Sequence, residues 1–157
     1  ELASATGQSF VDPAETARAA LDVRDASGFA LSIDDEAPIR GAVGCSRFLV
    51  RVVRGIDQSR QTPGWMVSRL RLAGMRSVSL GVDITNYVML ELGQPTHGYD
   101  LAKIRGGIAV RRAHAGERIT TLDGVDRALD AEDLLITDDR GPIGIAGVMG
   151  GAETEMD

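Results

Sequence analysis

Apolar positions follow a helical rhythm through the middle of the chain and a strand rhythm after it. Trp65, Met66, Leu70 and Leu72, with Arg69 among them, recur at helical spacing, and Tyr87, Val88, Leu90 and Leu92 supply apolar bulk for a second helix. Thr62 as a cap with Pro63 in the first turn is a start signal for the first helix, and Gly74 ends it. In the second, Thr85 and Asn86 can cap or bond locally, Gly93 stops the helix and Pro95 forbids its resumption. Beyond it, short Val/Ile-rich runs are broken by Ala-Gly, Asp-Gly and Gly-Gly. Strands are expected over 107–112, 117–121, 126–129, 133–137 and 142–147, with Leu122–Val125 as a tight hairpin turn. No long helices separate these runs, which disfavours a doubly wound parallel sheet. The expected fold class is α+β, with a barrel-like or strongly curved, mainly antiparallel sheet and flanking helices.

The first third is less patterned. Residues 1–8 read as a helix end closed by Gly7, Ala14–Leu21 as a short helix, and Leu21–Asp25 and Phe29–Asp35 as short strands. Acids and bases interleave here, the mark of a solvated connector. The division expected is a linker-like lead-in over 1–40 and one domain over 41–157. Ser46–Ile56 alternates Arg47, Arg51 and Arg54 with Phe48, Val50 and Val52, and reads as a strand with one solvated face. Its arginines could touch RNA phosphate, but an ordinary polar strand face is the better reading.

Composition narrows the classes. At 157 residues and 43% hydrophobic, the chain has enough material for a sizeable core. A net charge of −6 argues against a free nucleic-acid-binding domain, so any RNA contact should be local or assisted. One cysteine, Cys45, excludes an internal disulfide and a multi-cysteine zinc site, and fits a cytoplasmic, reducing compartment. It reads as a small buried hydrophobe before a strand. No apolar run is long enough to span a membrane.

Two histidines carry the candidate chemistry. His114 sits in a polar Ala-His-Ala-Gly turn and is read as structural. His97 lies in a turn made rigid by Gly93 and Pro95, where neutral imidazole can bond a water or a substrate hydroxyl. Asn86 has a local alternative as a cap or turn residue, yet its amide also offers two donors and an acceptor to a ligand. Asp83 and Glu91 are weaker candidates. Arg69, Arg71 and Arg76 form a basic cluster without an assigned use. The glycines of 144–151 lack both the Lys-Ser/Thr of a phosphate loop and a G-x-G-x-x-G spacing, so they are read as permitting turns and close backbone approach.

The stretch VDITNYVMLELGQPTHGYD (82–100) closely resembles the signature of the B3/B4 editing domain in the bacterial phenylalanyl-tRNA synthetase beta subunit. TPGWMVSRLRLAGMRS (62–77), TLDGVDRAL (121–129) and GIAGVMGGAETE (144–155) follow the family in the same order. Ser79 and Leu80 depart from it, standing where two asparagines are common, as does Gly81 for a valine.

The resemblance implies hydrolysis of mischarged tyrosyl-tRNA(Phe) within an enzyme that ligates phenylalanine to tRNA. His97 and Asn86 fall on the family's editing-site residues. Thr85, Pro95, Gly147, Gly150 and Gly151 are the expected substrate contacts. With no serine or cysteine nucleophile beside a base, a positioned water is expected to attack, helped by the terminal ribose hydroxyl. The resemblance further implies tRNA(Phe) and the alpha subunit of an alpha2beta2 enzyme as partners. ATP and Mg2+ serve the whole synthetase, and no metal or cofactor is expected in this segment. The chain is expected to be the N-terminal part of the domain, inactive alone, with a tyrosine-recognising glutamate beyond Asp157. The competing classes are a noncatalytic module contacting tRNA or the alpha subunit, and a nucleotide-dependent enzyme.

Overall fold

The computed structural model describes residues 2–15, 29–35 and 42–156. It divides into a helical unit (1–25 and 61–96) and a sheet unit (26–60 and 97–157). Residues 16–21 of the expected helix and the whole expected strand over Leu21–Asp25 lie outside the described residues.

In the helical unit, α1 (Leu2–Thr6) ends at Gly7, whose φ of 68° is the left-handed value that favours glycine. The helix α2 (Gly64–Leu72) follows Pro63 and buries Met66 and Leu70. It closes on Gly74, where Met75 N donates to Leu70 O at 2.9 Å. The helix α3 (Leu80–Leu92) begins earlier than Thr85 and Asn86 suggested. Its N-cap is Ser79, whose hydroxyl accepts from Val82 N, and Gly93 ends it with φ 67°. Thr85 and Asn86 therefore lie inside the helix, and Thr85 Oγ1 is occupied by a 2.8 Å bond to Val82 O.

Thr62 is likewise not the cap of α2, since no side chain caps that helix. Its hydroxyl donates instead to Asp83, which is fully buried and also accepts from Ser77 Oγ at 2.5 Å and Val78 N at 2.9 Å. Burial pushes the Asp83 carboxyl up, but these three donors outweigh it and leave the pKa below its ordinary value. One buried carboxylate thus joins the approach to α2, the approach to α3 and the first turn of α3.

The sheet unit holds five strands in the order β1 (Leu31–Asp34), β2 (Ile108–Arg112), β5 (Leu134–Asp138), β6 (Gly141–Ile145) and β7 (Met149–Gly150). Only β1 and β2 run parallel. A separate hairpin joins β3 (Arg118–Thr120) to β4 (Asp126–Ala128) through a turn in which Gly124 has φ 77°. All five strands expected after residue 107 are present, within a residue or two. Among the described residues they do not close into a barrel. Val110, Ile136 and Ile143 belong to one apolar cluster, while Ile119, Leu129 and Leu135 build a second.

Residues 46–56 are not a strand. Phe48 and Val50 do pack against the first cluster and the arginines are exposed, so the two-sided pattern is real. The backbone nevertheless enters no ladder; just before it, Cys45 N donates to a side chain, Asp35 Oδ2, at 2.8 Å. Asp35 is also held by Arg112 Nε at 2.8 Å. The half-buried Cys45 touches the first cluster, with no strand following it.

Replacing Asp83 by alanine strands three donors, and should cost about 2–4 kcal/mol in urea unfolding of the chain. A second effect concerns Glu117, which Arg111 grips at 2.6 and 2.8 Å while His114 N donates to it at 2.7 Å. The Arg111 bonds, with burial opposing and His114 N assisting, depress its pKa from 4.5 to about 2. A depressed carboxyl contributes stability above its unfolded pKa and loses it as pH falls through the folded one. Stability should therefore decline between pH 4.5 and about 2, and Glu117→Gln should flatten that limb, measured by denaturation across the range.

Candidate active site

The site is built on two glycines that face each other across a ladder. Gly144 of β6 and Gly150 of β7 are register partners, and the turn between their strands passes through Gly147 at φ 69°. Over this hairpin lies the segment that follows Thr96. A Cβ on Gly150 would overlap the His97 imidazole at Nε2 and Cε1, and one on Gly144 would stand 3.1 Å from the Tyr99 hydroxyl. Between them, a Cβ on Gly98 would overlap the Met156 side chain. Two rings, two residues apart, thus occupy the space above two paired glycines.

Backbone and side-chain bonds lock this strap in place. Asp100 N donates to Thr154 O at 3.1 Å, Lys103 Nζ to Glu155 O at 2.9 Å, and Arg105 N to the buried Asp138 at 3.0 Å. The hairpin is held from its other side, where Leu122 N donates to Gly150 O at 3.0 Å and Thr121 bridges to Gly151.

His97 and Tyr99 meet edge to face, with ring centroids 4.7 Å apart and planes at 72°. Tyr99 packs into the first apolar cluster, and burial pushes its phenol pKa up. His97 is exposed overall, but desolvation of its ring lowers the imidazole pKa from the ordinary 6.5. The ring is therefore neutral at physiological pH, with a nitrogen able to accept a proton.

The expected site residues fare differently. His97 and Gly150 are brought together, though the missing Gly150 side chain makes room for the imidazole. Gly151 is needed for close packing, because a Cβ there would lie 2.9 Å from Ile143 O. Gly147 serves the turn and has open space around it. Thr85 is tied to the residue before His97, since its carbonyl accepts from Thr96 Oγ1 at 2.7 Å. Pro95 is exposed in the same turn. Asn86 is half-buried on α3, and its side chain bonds to no described residue.

Sequence reasoning missed Tyr99, although it stands two residues from His97 in the same signature. It also missed a groove of about 290 Å³ beside Gly151, into which Arg118 and Arg140 project. Both are already paired, Arg118 with Asp126 at 2.7 Å and Arg140 with Asp138 at 3.1 Å, so the groove offers no unbalanced charge to an anion. Among the described residues no cluster of three or more His, Cys, Asp or Glu could hold a metal ion, and no helix is long and apolar enough to cross a membrane.

The site is thus a histidine-bearing strap seated on a glycine hairpin. The chain belongs to the B3/4 domain family, which matches residues 44–157. It is 65% identical over 156 residues to the phenylalanine–tRNA ligase beta subunit of Leifsonia xyli subsp. xyli, covering 99% of this chain and 18% of that protein. The corresponding subunits of Streptomyces avermitilis and Thermobifida fusca are 56% and 52% identical over 157 and 156 residues, covering 100% and 99% of this chain. The chain spans 18% of the length of each of these relatives. It is a B3/4 segment of the kind those beta subunits carry.

Gly150→Ala should drive the imidazole off its seat. In an NMR titration the His97 pKa should then rise toward 6.5, with a loss of about 1–3 kcal/mol in stability from overpacking.

Proposed function

We propose that this segment forms part of the editing domain of a phenylalanine–tRNA ligase and hydrolyses the ester of mischarged tyrosyl-tRNA(Phe). The observation that carries the reading is the His97 imidazole seated on Gly150, within the family signature, its pKa held below the ordinary value by desolvation. A water bonded to His97 attacks the ester carbonyl, the bond from that carbon to the ribose oxygen breaks, and free tyrosine leaves. The proton lost by the water ends on the departing ribose oxygen, and the neutral imidazole is suited to relay it. Asn86, whose amide is free of described partners, is assigned to the polar contacts of the ester or ribose, with Thr85, Pro95, Gly147 and Gly151 as further substrate contacts.

Editing answers a physical limit. A synthetic pocket for phenylalanine excludes an added hydroxyl imperfectly, whereas a second site that bonds the phenol rejects phenylalanine strongly. The family match from residue 44 supports 41–157 as the editing part and 1–40 as a lead-in. In the same reading the open sheet is one wall of a barrel-like domain, and the working partners are tRNA(Phe) and the alpha subunit in the cytoplasm. ATP and Mg2+ belong to aminoacylation elsewhere in the enzyme.

The test is deacylation of tyrosyl-tRNA(Phe) by the ligase assembled with the beta subunit carrying this sequence, against phenylalanyl-tRNA(Phe) as control. His97→Ala should slow clearance about 100-fold while aminoacylation persists. Unchanged clearance would instead support a noncatalytic module. Because the His97 pKa is lowered, the acid limb of wild-type clearance should lie below the ordinary imidazole value of 6.5, falling as the imidazole gains its proton.

A further inference from the structure

We propose that Tyr99 is a positioning residue for His97, holding the imidazole over Gly150 by an edge-to-face contact that is itself fixed by the seat of the phenol on Gly144. The catalytic consequence rests on the editing reading above, whereas the positional claim rests on geometry alone.

An imidazole that handles protons is usually oriented by a hydrogen bond to its other nitrogen, from a carboxylate or a carbonyl. Neither ring nitrogen of His97 bonds to a described residue, so that device is not what aims the ring. What touches it is the Tyr99 ring, 4.7 Å away at 72°, and the space left by Gly150. This is the attractive geometry for two rings, with the positive edge of one on the negative face of the other.

Tyr99 is suited to the task because it is itself packed in place. It packs against the cluster of Ile104, Ile108, Val110, Ile136 and Ile143, and its hydroxyl end is confined over Gly144. The register pairing of Gly144 with Gly150 then matches the spacing of the two rings along the strap. An exposed histidine thereby borrows its orientation from a residue anchored in the core. Desolvation alone lowers the His97 pKa, with no charged group among its causes, and the Tyr99 ring stands against the imidazole.

The experiment uses the assembled ligase and reads clearance of tyrosyl-tRNA(Phe), its pH profile, and the His97 imidazole signal by NMR, with aminoacylation as the control for folding. Tyr99→Leu should lower kcat about tenfold with KM altered less than about twofold, because the reacting group is misaimed while the binding surface remains. The acid limb and the His97 pKa should move up toward 6.5. Tyr99→Phe, which keeps the ring, should restore most of the loss.

Should Tyr99→Leu fail to fold, Gly144→Ala provides the second route. Its methyl would press on the Tyr99 hydroxyl and lower kcat in the same direction. Adding Tyr99→Phe removes that hydroxyl and should recover the activity. A Tyr99→Leu enzyme with wild-type kcat and acid limb, while His97→Ala is inactive, overturns the positioning role. So does a Tyr99→Phe variant as impaired as Tyr99→Leu. If His97→Ala itself retains clearance, the editing reading fails, and the His97 signal in Tyr99→Leu still decides the positional claim.

Discussion

Everything at the site depends on the missing side chains of Gly144 and Gly150. The two are paired across β6 and β7, so their bare backbones form one continuous patch on the hairpin. The strap from His97 to Arg105 can approach only because that patch is bare. Once it has approached, its carbonyls and amides find partners: Asp100 N on Thr154 O, Arg140 Nη2 on Lys103 O at 2.8 Å, and Asp139 N on Arg105 O at 3.0 Å. The rings then fill the volume a pair of alanines would have taken. Packing and polar satisfaction are thus set by the same two positions, which ties the geometry of the site to the stability of the sheet unit.

The helical unit uses a different constraint for a similar end. Asp83 carries a full charge into a site closed to solvent, where an unpaired carboxylate would be strongly destabilising. Ser77, Thr62 and the Val78 amide supply the compensation, and each comes from a segment that lacks regular structure. The loops entering α2 and α3 are therefore fixed by one acceptor. The helix that carries Thr85 and Asn86 starts where Ser79 and Asp83 jointly order its first turn.

What the sequence made legible was local. Glycines at helix ends, the Leu122–Val125 turn and the five later strands each follow from a few adjacent residues. The failures came where a distant partner decides. Residues 46–56 have the two-sided pattern of a strand but pair with no other strand, and the residue before them, Cys45, is bonded through its amide to Asp35, ten residues earlier. Thr62 and Pro63 have the composition of a helix start, yet the Thr62 hydroxyl is claimed by Asp83, 21 residues on. Asp83 read only as a weaker candidate because nothing nearby in sequence reveals three converging donors. Gly150 was legible as a close-approach glycine, while the identity of what approaches it, His97, required the fold.

That last distinction bears on how the histidine is tuned. An imidazole on a flexible exposed turn would titrate near 6.5 and sample many orientations. Pressing one side of it against bare backbone removes water there, which disfavours the charged form and lowers the pKa without any charged neighbour. The same contact restricts rotation, so one structural feature supplies both the protonation state and the aim. A carboxylate placed behind the ring would have oriented it equally well but would have raised its pKa, favouring imidazolium. An aromatic edge and a glycine seat, by contrast, contact the ring without adding a charge that would favour imidazolium.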